Sequence, residues 1–142
     1  MDIGGVYLVN FPNKGGNEFY GRHYAVVISR VSNDDKTLLV APMTGKKVGN
    51  KYRGGITIDN TKYQENPSYE SSFVYVRKIQ EIDKRKISCK RKNQVDEFGN
   101  VLLDSSGKEL FKKVYSKIYQ LDDEDFDLLR DKCKEVIKFK WW

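Results

Sequence analysis

The sequence has a single histidine, two cysteines and three prolines. It has no Walker loop, no Gly-x-Gly-x-x-Gly and no paired-carboxylate signature, so nucleotide and two-carboxylate chemistries have no anchor. With His23 as the only imidazole, no Ser-His-Asp triad can be defended. Cys89 and Cys133 stand in unrelated contexts, and neither has a second Cys or a His at ligand spacing, which argues against a zinc site. No apolar run is long enough to cross a bilayer. The start, Met1-Asp2-Ile3-Gly4-Gly5, lacks the basic-then-apolar pattern of a signal peptide. These absences predict a cytoplasmic protein with reduced thiols, no membrane association, no metal and no cofactor.

What is present is charge, unevenly placed. The chain has 142 residues, the size of one domain, with 26 basic and 20 acidic residues and a formal net charge of +6. Six of the nine residues from Lys84 to Lys92 are basic, and Lys46, Lys47, Lys51 and Arg53 form a second group. The acids crowd at Asp122-Asp123-Glu124-Asp125 and Asp127. Segregation of this kind suits a phosphate-rich partner, and suits an ordinary solvated face about as well.

The hydrophobic pattern predicts strands over 6–11, 23–31, 37–43, 54–59 and 72–79. Ala25-Val26-Val27-Ile28 reads as a strand buried on both faces, and Pro42 as the end of the next strand. Asn13 to Asn17 reads as a loop and Ser32 to Lys36 as a polar turn. The stretch 96–111 carries the same spacing twice, an acid, a turn, a Gly and an apolar pair, which predicts two tight turns in a projecting hairpin or a flexible insertion over 88–119. Asp122 is a candidate helix N-cap. Phe126, Leu129, Cys133, Val136 and Ile137 follow at helical spacing, with Lys132, Lys134, Lys138 and Lys140 in the later turns. The expected fold is mainly β with a C-terminal α-helix, a small antiparallel sheet or barrel forming a single domain over 1–142.

Three places have the residue types for chemistry. His23 lies among Glu18, Tyr20, Arg22 and Tyr24, where a Gly-rich loop meets a buried strand. A lone histidine there is more often a satisfied structural group. Thr44, followed by Gly45, Lys46 and Lys47 at a strand end, suits a phosphate oxygen, though it also reads as a plain turn. Arg77-Lys78 leads toward the basic run, with aromatics interleaved at Tyr52, Tyr63 and Tyr75, a pattern that stacks bases beside a tracked backbone. Strand aromatics mostly build core, and Tyr75 is read that way. If the protein is an enzyme, the fitting chemistry is metal-free phosphodiester cleavage by an RNA's own 2′-hydroxyl.

The motifs Val6-Tyr7-Leu8-Val9-Asn10-Phe11-Pro12, 16–29 around Arg22-His23-Tyr24, Leu39-Val40-Ala41-Pro42-Met43-Thr44, and 76–84, taken in order with the terminal helix, resemble the MazF/PemK toxin family. The resemblance covers most of 5–87 and 120–140 and leaves 88–119 outside it. It implies an SH3-like barrel and a metal-independent endoribonuclease that cuts single-stranded RNA to a 2′,3′-cyclic phosphate and a 5′-hydroxyl. Thr44 matches the family's active-site Thr. The family's catalytic Arg precedes a Pro; here His23 and Tyr24 hold those two positions and the Arg is displaced to Arg22. That displacement resembles the related ToxN/CptN-type toxins, which are inhibited by a repetitive RNA pseudoknot, and leans toward an RNA antitoxin; otherwise the antitoxin would be a MazE-like protein. On this reading Arg22 stabilises the phosphorane, Thr44 binds the scissile phosphate, and His23 carries or positions the proton. Tyr20, Lys46, Lys47, Lys51, Arg53, Arg77, Lys78, Lys84 and Arg85 bind the RNA. A homo-oligomer or an RNA-linked assembly is expected. Two other readings stay open, a non-catalytic RNA-binding module and an SH3-like protein-interaction domain.

Overall fold

The computed structural model describes residues 1–16, 19–29 and 36–137. Asn17 and Glu18, 32–35 of the polar turn, and Lys138 and Lys140 lie outside the described residues. Nine strands and one helix follow in order: β1 Gly5–Phe11, β2 Gly21–Ser29, β3 Thr37–Gly45, β4 Gly55–Asp59, β5 Ser71–Tyr75, β6 Gln80–Asp83, β7 Cys89–Asn93, β8 Phe111–Tyr115, β9 Lys117–Gln120 and α1 Asp123–Val136. Seven strands form one sheet in the order β4-β5-β3-β2-β1-β9, with β6 also paired to β3; every pairing is antiparallel. β4 and β9 do not pair with each other, so the barrel is open.

The apolar run of β2 behaves as its composition predicts, since Ala25, Val26 and Val27 are all fully buried. Successive strand residues face opposite sides, so a continuous apolar run must feed two cores. Val26 joins Val6, Ala41, Met43, Ile58 and Val74 under the helix residue Leu129. Ala25 and Val27 join Val9, Phe11, Val40 and Ile82 on the other side. α1 packs its Leu129 stripe on the first core, with Phe126, Cys133 and Val136 beside it. Its start is set by Asp122, whose carboxylate accepts the Asp125 N–H at 2.8 Å.

Three boundaries differ from expectation. β2 begins at Gly21, so Arg22 and His23 lie inside the strand. β3 passes through Pro42 to Gly45. Pro42 falls between Val40, the last residue paired with β6, and Met43, the first paired with β5, so that edge has no ladder bond there for a missing N–H to break. The strand expected over 72–79 is two strands joined by a 3-10 turn at Val76–Lys78. The Gly54 carbonyl accepts the N–H groups of Val76 (2.9 Å) and Arg77 (3.1 Å), bending the chain so that β5 and β6 serve different halves of β3.

The 60–70 connection between β4 and β5 is tied to the helix. Tyr63 Oη donates to the buried Asp125 carboxylate and accepts the Asp122 N–H at 3.1 Å. Lys62 Nζ stands 2.7 Å from Asp122 and 3.1 Å from Asp125. These two carboxylates hold the Lys62 ammonium above its ordinary pKa. Tyr63→Phe leaves a buried carboxylate short of a donor and the Asp122 N–H without its acceptor. It is expected to lower the unfolding free energy by about 1–3 kcal/mol, read as a fall in urea midpoint at unchanged m-value. A midpoint equal to wild type would remove this contact from the account of the fold.

Candidate active-site groove

A groove opens where two neighbouring strands part. β2 and β3 are paired from Ser29↔Leu39 to Ala25↔Pro42. Beyond that point β2 stays on β1 from Leu8↔Tyr24 to Phe11↔Gly21, while β3 carries on with β5 from Met43↔Val74. Among the described residues, the β2 edge at Arg22–Tyr24 and the facing β3 edge at Met43–Gly45 have no ladder partner on the side toward each other. The gap is a cavity of about 530 Å³, lined by those six residues, Leu8, Ser72 and the 60–69 segment.

Arg22, His23 and Thr44 therefore meet in one place. Continuing the register past Ala25↔Pro42 would set Tyr24 opposite Met43 and His23 opposite Thr44. By strand alternation His23 and Thr44 share the face of Ala25 and Pro42, and Arg22 projects to the other face with Tyr24. Arg22 is exposed; His23 and Thr44 are half-buried. The His23 ring lies 4.3 Å from the Phe19 ring at a 56° tilt and donates a hydrogen bond to the Tyr20 carbonyl. Burial lowers the His23 pKa more than that bond raises it, so the imidazole is mainly neutral at pH 7. With one nitrogen donating to a carbonyl, a neutral imidazole presents a lone pair on the other.

The second wall is a polar loop. Asn60 closes it: its N–H donates to the Glu70 carbonyl at 2.9 Å, and its side-chain amide donates to the Tyr69 carbonyl and Ser72 Oγ, both at 2.8 Å. The loop presents Gln64, Asn66, Ser68 and Tyr69 to the groove. The Tyr69 ring packs against Gly45, where a Cβ would approach it to 2.2 Å. Sequence reasoning missed these side chains. The only signal was the cluster Asn66-Pro67-Ser68 between two strands, which marks an anchored loop without naming its chemistry.

None of the nine residues expected to bind RNA lines the cavity. Several flank an aromatic lane that ends on it. Tyr52, Phe73, Tyr75, Phe19 and His23 follow one another with ring centroids 5.4, 5.0, 5.7 and 4.3 Å apart. Thr44↔Phe73 pairing puts this lane on the Thr44 face. Lys78 Nζ sits 4.7 Å above Tyr75, Arg77 is 5.7 Å from the same ring, and Lys46 is 5.5 Å from Tyr52. Tyr75 is half-buried in this lane, between core and surface. Tyr20, Lys47, Lys51 and Arg53 are exposed. Lys84 and Arg85 lie in the turn after β6, where Asp83 grips Arg85 at 3.0 and 3.1 Å and compensates its charge.

Cys89 and Cys133 are free thiols, and among the described residues no three His, Cys, Asp or Glu side chains converge as metal ligands. No described helix is long and apolar enough to cross a membrane. No curated protein matches the chain. A family model does match, over residues 2–137, a span that takes in the groove, the helix and the 88–119 segment. The chain thus belongs to the PemK-like, MazF-like toxins of type II toxin–antitoxin systems.

Proposed function

We propose that the groove is the active site of a metal-independent endoribonuclease acting on single-stranded RNA. The observation that carries this reading is the convergence of an imidazole, a hydroxyl and a guanidinium between two parted strand edges. The 2′-oxygen attacks the adjacent phosphorus. A P–O2′ bond forms and the P–O5′ bond breaks, leaving a 2′,3′-cyclic phosphate and a 5′-hydroxyl. His23 takes the 2′ proton as general base, for which a lone pair at neutral pH is the requirement. Arg22 faces the charge that builds on the phosphorane, and Thr44 holds a nonbridging oxygen. The leaving 5′-oxygen takes its proton from solvent.

The Arg22 and His23 roles are separate on this reading, because neighbours on a strand cannot serve one face. The aromatic lane with Lys46, Arg77 and Lys78 supports stacked bases and a tracked backbone on the Thr44 side. The antitoxin, by the type II family, is proposed to be a MazE-like protein; the expected RNA pseudoknot antitoxin gains no support from that match.

The first test is cleavage of single-stranded RNA at low salt in chelator. Arg22→Ala is expected to lower kcat by about 100- to 1,000-fold, the usual loss for one donor to a developing oxyanion. If wild type and Arg22→Ala are equally inert, the enzyme reading fails; salt-dependent binding without cleavage would make the protein a binding module. The second test is a pH profile. A His23 pKa below the ordinary 6.5 means that kcat/KM rises with pH through a midpoint under that value and then levels. His23→Ala should remove that limb, and a retained limb would assign the titration elsewhere.

A further inference from the structure

The β7–β8 hairpin stands apart from the seven-stranded sheet as a two-stranded sheet of its own, and every residue of β7 is exposed. Its five rungs run Cys89↔Tyr115, Lys90↔Val114, Arg91↔Lys113, Lys92↔Lys112 and Asn93↔Phe111. Two consecutive rungs set like charges directly opposite each other, an arrangement that destabilises a ladder. A hairpin serving only as structure has no use for it; local violations of this kind gather at functional surfaces. Among the described residues none of the five cations on these strands forms an ion pair, and they stand together on one five-rung ladder.

The stem is nonetheless held firmly. At its tip, backbone bonds run in a ring, from Gln94 N–H to the Leu110 carbonyl (2.8 Å), from Leu110 N–H to Leu102 (3.0 Å), and from Leu102 N–H to Gln94 (2.8 Å). Asp96 and Asp104 each close a turn by accepting two backbone N–H groups at 2.8 and 2.9 Å. At its root, Ser88 N–H donates to the Leu8 carbonyl at 2.9 Å, and Leu8 lines the groove. β1 alone separates this root from β2, a distance of about 10 Å at two strand spacings. The stem then extends about 17 Å for its five residue pairs. Arg91 lies 4.3 Å over the exposed Phe111 ring, a cation fixed beside a stacking surface.

We propose that this stem binds the sugar–phosphate backbone of RNA that leaves the groove, lengthening the substrate's path by several nucleotides. Lys90, Lys92 and Lys112 share one face and take phosphates there; Arg91 and Phe111 share the other. The stem is already ordered by its backbone bonds, and a bound polyanion relieves the cross-strand repulsion while its condensed counterions are released. The proposal rests on the RNA reading of the groove, and the test separates the two.

Binding is measured with 2′-O-methyl oligoribonucleotides, which lack the attacking hydroxyl. One is a short oligomer of about six nucleotides that fills the groove alone, the other about twenty nucleotides, at several salt concentrations. Wild type should bind the long oligomer about tenfold or more tighter than the short one at 0.1 M salt. Lys90→Gln/Lys92→Gln/Lys112→Gln should lose that gain and about two units of the salt slope on the long oligomer, at about 0.7 per phosphate contact, and leave the short oligomer unchanged. Its melting temperature should not fall, because a repulsion has been removed, and the Lys→Arg triple variant should bind as wild type does. A wild type that binds both lengths equally, or a Gln variant that binds the long oligomer as tightly as wild type, overturns the proposal. So does a Gln variant that changes only oligomeric mass, which makes the stem a protein contact. If neither oligomer binds, the groove reading itself falls and the stem with it.

Discussion

A nine-residue strand can satisfy two neighbours, one on each edge, and β3 has three. β6 and β5 share one edge in sequence, joined by the tight turn at Val76–Lys78. Pairing of β3 with β2 stops at Pro42 and pairing with β5 begins at Met43, so the second half of β3 goes with β5 and leaves β2. The groove is the space this leaves. Had the ladder continued two residues, backbone hydrogen bonds would have closed His23 onto Thr44 and no substrate could enter between them. The buried residues on either side, Ala25 to Val27 and Val40 to Met43, hold the parted ends at a fixed separation.

That separation also sorts the chemistry. Two adjacent residues on a strand point to opposite faces, so on the proposed reading Arg22 and His23 would approach a ligand in the groove from different sides. His23 is packed on Phe19 and held by the Tyr20 carbonyl, which suits a group that must keep one orientation and one protonation state. Arg22 is exposed, which suits a permanent charge that needs no tuning. The polar wall from Asn60 to Tyr69 is neutral, and its position depends on the Tyr63–Asp125 contact with the helix. Helix packing and groove shape are thereby coupled through one phenol.

The parts legible in the sequence are those governed by short-range rules. The apolar run at Ala25-Val26-Val27 fed two cores, and Asp122 capped the helix, because burial and capping act over a few residues. The repeated Asp-x-x-Gly spacing became two turns with Gly99 and Gly107 at φ of 83° and 81°, again a local demand. Arg22, His23 and Thr44 were singled out beside the apolar runs that pattern reveals, although the strands extend past the expected ends to include them. The splitting of 72–79 depended on a carbonyl at Gly54, some twenty residues away. Gln64, Asn66 and Tyr69 were hidden for the same reason, since a loop becomes a wall only once its two ends are tied by Asn60 and Tyr63. Lys84 and Arg85 looked like part of one basic run, yet the chain turns within it, so that Asp83 neutralises Arg85 while Lys90 to Lys92 move onto the hairpin.

That division changes what the net charge of +6 means. Some of the positive charge on the body is met by neighbouring acids: Lys62 by Asp122 and Asp125, Lys117 by Asp2, Arg130 by Asp127. Among the described residues, five cations without an ion pair stand together on the hairpin stem. The distance from the root of the stem to the groove is comparable to the screening length at physiological salt, about 8 Å. Charges at that range still raise the local concentration of a polyanion and orient it before contact. A basic composition alone predicted neither outcome. The placement of five cations on one short ladder, which composition cannot report, concentrates positive charge one strand away from β2, the strand that forms one side of the groove.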